Sequence, residues 1–159
     1  MTILPQPKKL KKTGGTISVA NLKIVLTPKC DERIFRAAQK LANEMLEETG
    51  NTPVITKVFE VTDTQGKIVI DCLGKKSGEG YKLSAKSDSI VITGDTLAGT
   101  FYGIQTLRQM LETCGEDIEC CEIEDKPDMS YRGFYHDAAR GRVPNLEGAF
   151  KMIDFLAYY

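Results

Sequence analysis

The sequence is poor in the residues that usually hold metal ions. It contains a single histidine, His136, and five cysteines that form no Cys-x-x-Cys pair. Structural zinc sites need about four ligands at loop-compatible spacing. Cys120 and Cys121 are adjacent and would point to opposite faces of a strand, which makes them a poor pair of ligands. We therefore predict no metal site, no need for a cofactor, and cysteines that are reduced and partly buried.

Long apolar runs are also missing. No stretch approaches the roughly 20 apolar residues that a membrane-spanning helix needs. The first residues, MTILPQPKK, have neither the apolar core nor the small-residue cleavage site of a signal peptide. The formal net charge is −1, so there is no overall attraction to nucleic acid or to an anionic membrane. The sequence predicts a soluble, cytoplasmic chain with no nucleic-acid or membrane partner.

Charge is nevertheless uneven along the chain. Four lysines lie close together near the amino terminus, at Lys8, Lys9, Lys11 and Lys12, and the stretch 116–128 is mostly acidic. Runs of like charge are usually solvated. We interpret residues 1–15 as an extended lead-in that ends at Gly14-Gly15, and the acidic stretch as a solvated linker.

Between these runs the apolar pattern indicates strands and two helices. Short apolar runs within 16–26, 54–61 and 67–73 are typical of strands, and 81–93 reads as a hairpin. A first helix opens at Asp31-Glu32, and its apolar face is formed by residues at steps of four, three and four: Ile34, Ala38, Leu41 and Met45.

The second helix follows Asp95-Thr96 and ends at Gly115. Gly99 and Gly103 lie one turn apart on it, at a cost of about 1 kcal/mol each relative to alanine. Glycines at these positions indicate that the helix must approach a sheet closely, because glycine has no side chain to keep the two apart. Together these elements predict an α+β domain over residues 16–126, with a mixed or antiparallel sheet and two helices packed on one face.

The last part of the chain, residues 127–159, predicts a different unit. A strand at Tyr131 leads to Asp137 and Arg140 and then to a helix that runs to Tyr159, which is the order of a first βα unit of a (β/α)8 barrel. A whole barrel takes about 250 residues, so only its start fits in this chain. Asp137 and Arg140 would lie at the carboxyl end of the strand, where barrel enzymes place their active sites.

Three short motifs resemble the non-catalytic N-terminal domain of glycoside hydrolase family 20, the β-N-acetylhexosaminidases. They are EGYKLS from residue 79, IVITG from residue 90 and AGTFYGIQTLRQML from residue 98. The positions Asp128, Arg132-Gly133, Asp137 and Arg140 are similar to that family's entry into its catalytic barrel. The resemblance covers residues 17–159 and implies a supporting sheet-and-helix domain followed by the first βα unit of the barrel.

By this resemblance Arg140 holds hydroxyls of the terminal sugar, and Asp137 has a supporting role. A guanidinium suits that task because its planar fork donates two hydrogen bonds to neighbouring oxygens. Well-known members follow the arginine with histidine and an aromatic residue, whereas Gly141-Arg142 follows here. His136 would lie on the opposite face of the strand from Asp137, where packing outside the barrel lumen is its simplest role.

The resemblance also implies a substrate-assisted, retaining mechanism that this chain lacks the residues to perform. The family uses an adjacent Asp-Glu pair on a later strand. The Asp31-Glu32 pair opens a helix, Glu124-Asp125 has the reverse order, and the tryptophans that line the family's acetamido pocket have no counterpart because the chain has no tryptophan. We predict no catalytic residue here and no activity in this chain alone, whose full-length parent would act on N-acetylhexosamine-containing glycans.

Two other interpretations stay open. The chain could be a stand-alone protein-interaction module that keeps this fold, or a carbohydrate-binding module that uses exposed Tyr81, Tyr102 or Tyr131. In either case the apolar side chains of residues 131–159 lack the neighbours of a closed barrel. We expect that segment to pack on the N-terminal domain, to mediate self-association or to stay mobile.

Overall fold

The computed structural model describes residues 1–137, 139, 141 and 143–159. The chain divides into two compact units, Met1–Lys126 and Pro127–Tyr159, hereafter unit 1 and unit 2. Unit 1 consists of β1 (Lys9–Ser18), β2 (Lys23–Leu26), α1 (Glu32–Thr49), β3 (Ile55–Lys57), β4 (Lys67–Cys72), β5 (Tyr81–Ala85), β6 (Ser89–Gly94), α2 (Leu97–Cys114) and β7 (Asp117–Asp125).

The strands of unit 1 form one seven-stranded mixed sheet in the order β1-β7-β5-β6-β4-β2-β3. Strands β3, β2, β4 and β6 are parallel, whereas β5 runs antiparallel to β6 and β7, and β1 antiparallel to β7. Helices α1 and α2 pack against the sheet and against each other, and all three share one hydrophobic core. The predicted α+β class is therefore confirmed.

Helix α1 begins where the sequence predicts. The Asp31 carboxylate accepts hydrogen bonds from the backbone N–H groups of Arg33 (3.0 Å) and Ile34 (3.4 Å). Gly50 ends the helix at φ 72°, and its N–H donates to Leu46 O. The four predicted face residues are all buried.

Helix α2 lies unusually close to the sheet, as its glycines predict. A Cβ on Gly99 would lie 2.2 Å from the carbonyl oxygen of Gly80, and a Cβ on Gly103 would lie 2.5 Å from Cγ2 of Ile92. Any side chain at these two positions would therefore push the helix away from β5 and β6.

The two charge runs form neighbouring strands, which corrects the prediction of a solvated tail and linker. Three of the four lysines lie in β1, and most of the acidic stretch is β7. Lys9 pairs with Glu124 (3.2 Å) and Lys12 with Glu119 (2.5 Å) across the strands. Opposite charges stabilise each other in cross-strand pairs, and the intervening side chains of β7, such as Ile123, fill the core.

Gly14 and Gly15 lie within β1 and do not end a lead-in. Both have positive φ, 85° and 82°, and the pairing register with β7 shifts between Lys12 and Thr16. They form a β-bulge, a conformation that glycine adopts without strain.

The five cysteines are free, and four of them are buried: Cys30, Cys72, Cys120 and Cys121. Burial raises the pKa of the Cys121 thiol to about 11, so this group stays protonated at neutral pH. The prediction of partly buried thiols is confirmed.

The described residues of unit 2 include one helix, α3 (Leu146–Tyr158). The Asn145 side chain caps it and accepts a hydrogen bond from the Gly148 N–H at 2.8 Å. The strand predicted at Tyr131 is not formed among the described residues of this unit. A strand requires a neighbouring backbone to pair with, and no described segment pairs with residues 131–137. The described residues of unit 2 therefore contain the predicted helix of a βα unit but not its predicted strand.

Candidate functional site

The predicted sugar-binding residues fall in the segment before α3. The half-buried Asp137 accepts a hydrogen bond through Oδ1 from the backbone N–H of Ala139 at 2.8 Å. This bond to a residue two positions on forms an Asx turn, which fixes the carboxylate locally. Arg140 lies outside the described residues, and the distance between the two predicted site residues is therefore not defined.

His136 lies beside Phe134 on the same segment. Their rings are stacked, with centroids 6.4 Å apart and planes at 25°. The His136 side chain is exposed, and the predicted opposition of His136 and Asp137 across a strand does not arise because the strand is not formed.

The tyrosines proposed as a carbohydrate platform differ sharply from one another. Tyr81 is buried, and its hydroxyl lies 2.6 Å from the Thr106 hydroxyl oxygen. Burial raises the pKa of Tyr81 to about 12. Tyr102 is half-buried against Phe101 in an edge-to-face contact, whereas Tyr131 is exposed. Tyr81 belongs to the core and cannot stack on a sugar, which corrects that part of the interpretation.

Neither acidic pair is arranged for catalysis. Asp31 is the N-cap of α1, and hydrogen bonding to Arg33 is the main cause that lowers its pKa. Glu124 pairs with Lys9, and that hydrogen bond likewise lowers the pKa of the carboxylate. Both groups are thus held ionised as structural partners. A carboxyl group that acts as a general acid at neutral pH needs a pKa above its ordinary value.

A buried polar cluster on α2, which the sequence interpretation missed, joins the two helices. The Arg108 guanidinium binds both carboxylate oxygens of Glu44 on α1, and it also donates to the amide oxygen of Gln105. Arg108 is 8% exposed at its side chain, so this ion pair is largely shielded from water. The sequence signal for this cluster is three polar residues, at positions 105, 108 and 109, on one side of a largely apolar helix.

Gln109 extends this cluster to the amino terminus. Its side-chain amide accepts a hydrogen bond from the Leu4 N–H at 2.7 Å and donates to the Leu4 carbonyl at 2.8 Å. A side-chain amide thus pairs with the backbone as a neighbouring strand would. The polar residues of the AGTFYGIQTLRQML motif accordingly have structural roles within unit 1.

An open cleft of about 420 Å³ lies at the carboxyl ends of the parallel strands. It is lined by Lys29, Cys72, Gly74, Lys75 and residues 96–98. Both ammonium groups are already engaged, Lys29 with the Leu73 carbonyl at 2.6 Å and Lys75 with the Asp95 carboxylate at 2.6 Å. The cleft therefore presents no free charged group from these two lysines to an anion.

No cluster of three histidine, cysteine, aspartate or glutamate side chains could hold a metal ion among the residues described. In the same part of the chain, no helix combines the length and apolar character that crossing a membrane requires.

The chain is similar to known proteins over most of its length. A family model described as glycosyl hydrolase family 20, domain 2, matches residues 1–126. The N,N'-diacetylchitobiase of Vibrio harveyi is 30% identical over 141 residues, which cover 87% of this chain and 15% of that protein. A beta-hexosaminidase of Porphyromonas gingivalis is 26% identical over 169 residues, covering 100% of this chain and 21% of the relative.

Solved structures agree in fold. The chitobiase of Flavobacterium johnsoniae matches with a TM-score of 0.80 and 24% identity over 98% of this chain and 25% of that chain. The β-N-acetylhexosaminidase of Streptomyces coelicolor matches with a TM-score of 0.77 and 24% identity over 99% of this chain and 32% of that chain. This chain spans less than a third of the length of each of these proteins. The chain belongs to glycosyl hydrolase family 20, and the model of that family's domain 2 accounts for residues 1–126.

Proposed function

We propose that this chain is the N-terminal part of a β-N-acetylhexosaminidase, in which unit 1 is the non-catalytic supporting domain and unit 2 begins the catalytic (β/α)8 barrel. The observation that carries this proposal is that similarity does not stop at residue 126. The Porphyromonas gingivalis beta-hexosaminidase aligns with the whole of this chain, unit 2 included. The longer enzyme would release terminal N-acetylhexosamine residues from glycans.

Unit 1 supports the barrel in this proposal and takes no part in the chemistry. Its polar groups are committed to structure, since Arg108 binds Glu44, Gln109 binds Leu4, and Asp31 caps α1. A supporting role suits unit 1, because the close approach at Gly99 and Gly103 holds α2 against the sheet.

Unit 2 would contribute one wall of the sugar pocket. Arg140 would donate hydrogen bonds to sugar hydroxyls. Asp137 would stabilise the turn before Arg140 by accepting the hydrogen bond from the Ala139 N–H. The nucleophile in this mechanism is the acetamido oxygen of the substrate, and the carboxylates that assist it would come from polypeptide outside these 159 residues. The chain alone is therefore inactive in our proposal.

The coding DNA that follows the Tyr159 codon tests this proposal. We expect an open frame that encodes further barrel strands and an adjacent Asp-Glu pair. Expressed in full, that frame should hydrolyse a chromogenic N-acetylglucosaminide, and Arg140→Ala should lower kcat/KM by roughly 10- to 100-fold through loss of charged hydrogen bonds. A stop codon with no barrel sequence in any downstream frame would contradict the proposal and favour a stand-alone module.

A further inference from the structure

The first eight residues lie against the rest of unit 1 as a separate segment, hereafter the strap. They precede β1 and belong to no helix or strand. The Ile3 side chain is 8% exposed and joins the hydrophobic core, and Pro7 is also buried. The side chains of Thr2, Leu4 and Gln6 are exposed. The strap is therefore docked through alternate parts of its length, with an apolar anchor at Ile3.

Side chains of α2 hold the backbone of the strap on both sides of this anchor. The Gln109 amide accepts a hydrogen bond from the Leu4 N–H at 2.7 Å and donates one to the Leu4 carbonyl at 2.8 Å. One turn further along α2, the Thr113 hydroxyl oxygen accepts a hydrogen bond from the Thr2 N–H at 3.3 Å. Main-chain hydrogen bonds that flank a buried side chain are the contacts by which a groove recognises a bound peptide.

We propose that this surface of α2 is a peptide-binding groove, and that the strap of a second copy of this chain can occupy it in place of the chain's own strap. The same contacts form in both arrangements, as in domain swapping, so only the effective concentration of the strap separates them. Residues 5–8, which join the bound part of the strap to β1, lie outside the sheet. A strap can therefore turn toward a second copy without breaking a strand.

The connection to β1 keeps the strap in its own groove at ordinary protein concentrations. A short connection supplies an effective concentration of about 1 mM. If the strap is docked in roughly nine of ten molecules or more, the same contact without the connection has a Kd of about 0.1 mM or less. This inference does not depend on the proposed function, because the strap and the groove both lie within unit 1.

Two variants of the 159-residue chain, each lacking one half of the contact, test the proposal when they are mixed. Ile3→Asp places a carboxylate at the apolar anchor, which disables the strap and leaves the groove intact. Gln109→Glu keeps the size of the side chain but cannot donate to the Leu4 carbonyl, which disables the groove and leaves the strap intact. Titration calorimetry of one into the other should show a one-to-one complex with a Kd of about 0.1 mM or less, which neither variant forms alone.

Gln6→Asp is the matched control for Ile3→Asp, because it places the same carboxylate on the strap at an exposed position. This variant keeps its own strap docked, so it should bind Gln109→Glu at least about 10-fold more weakly than Ile3→Asp does. Far-UV circular dichroism checks that all three variants are folded.

The wild-type chain allows a second measurement that needs no folded variant. A synthetic peptide of the strap sequence, MTILPQPK, should bind it with an apparent Kd of about 1 mM, which is set by competition with the tethered strap. The same peptide with Ile3→Asp should not bind. Chemical shifts of the Gln109 side-chain amide in NMR spectra report the binding.

Three results would overturn the inference. One is folded Ile3→Asp and Gln109→Glu variants that do not associate when each is present at about 1 mM. Another is equal binding of Gln109→Glu by Ile3→Asp and by Gln6→Asp. The third, which decides the matter if a variant does not fold, is a wild-type chain that ignores the strap peptide at about 10 mM or binds the Ile3→Asp peptide equally well.

Discussion

Unit 1 and unit 2 are both rich in apolar residues, but only unit 1 buries them. Among the described residues, five large apolar side chains are exposed in the 126 residues of unit 1, whereas eleven are exposed in the shorter unit 2. Helices α1 and α2 each bury a face in a shared core, and α3 buries no residue. An apolar helix pattern thus predicts a helix correctly without predicting that the helix has a partner.

The largest expected effect contrasts two glycines, one in each unit. A Cβ on Gly94 would lie 2.1 Å from the backbone nitrogen of Thr100, whereas a Cβ on Gly133 would meet nothing within 4 Å. We expect Gly94→Ala to lower the free energy of unfolding of unit 1 by about 3 kcal/mol, because backbone and helix must shift. That corresponds to a fall in Tm of about 10 °C. Gly133→Ala should leave Tm within about 2 °C. Thermal melts of both variants check this, and equal effects would mean that the two units are packed alike.

The next effect contrasts a shielded ion pair with an exposed one. We expect Arg108→Met to destabilise unit 1 by about 2–3 kcal/mol, because it leaves the Glu44 carboxylate without its partner and Gln105 without a donor. Arg36→Met breaks the exposed pair between Arg36 and Glu32 on α1. That change should cost less than about 0.5 kcal/mol.

Urea denaturation of these two variants gives the comparison directly. A similar loss from both would contradict the view that the α1–α2 contact is a specific feature of the core.

Removal of unit 2 should have little effect on unit 1. If unit 1 has a complete core of its own, a chain of residues 1–128 should melt within about 2 °C of the full chain. Calorimetry of the two chains checks this. A much lower Tm for the shorter chain would show that residues 129–159 stabilise the first unit.

The smallest effect concerns Glu119 on β7, which binds both the Met1 amine (3.0 Å) and Lys12 (2.5 Å). Its hydrogen bond with Lys12 is the main cause that lowers the pKa of Glu119, and its bond with Met1 is the main cause that raises the pKa of the amine. A lowered carboxylate pKa means stability that is present above the ordinary value of 4.5 and lost as pH falls through the folded value. A raised amine pKa means stability that is present below the ordinary value of 8.0 and lost as pH rises through the folded value.

Glu119→Gln should therefore lower Tm slightly near pH 6, and its difference from the wild type should shrink toward pH 3. The Met1 contribution should fade as the pH rises beyond 8.0 and through the raised pKa of the amine. Thermal melts at pH 3, 6 and 10 measure this, and a difference that grows toward pH 3 would reverse the assigned sign.

The sequence predicts the elements whose side chains follow a regular apolar pattern. Helix α1 is an example, since its cap at Asp31 and its buried face both follow from local rules. The close approach of α2 also follows, because Gly99 and Gly103 have a cost that only packing explains. Strands β1 and β7 are not predicted, because they form by backbone pairing between segments that lie far apart in sequence. Local charge density cannot reveal such a pairing.

The candidate site was less predictable for a related reason. The position of Asp137 near the start of a helix follows from the sequence, but a strand at Tyr131 depends on neighbours that no described segment provides. For Tyr81 the strand is predicted correctly, but the prediction that its ring is exposed is wrong. Its alternating neighbours identify a strand, but only the sheet order places its ring under α2 beside Thr106.

We propose above all that this chain carries a family 20 supporting domain without a catalytic centre. The most direct test is to assay the purified 159-residue chain with a chromogenic N-acetylglucosaminide, beside a no-protein control and an active family 20 enzyme. We predict a rate equal to the no-protein control. Turnover above that control, retained through further purification and proportional to the amount of this chain, would contradict the claim.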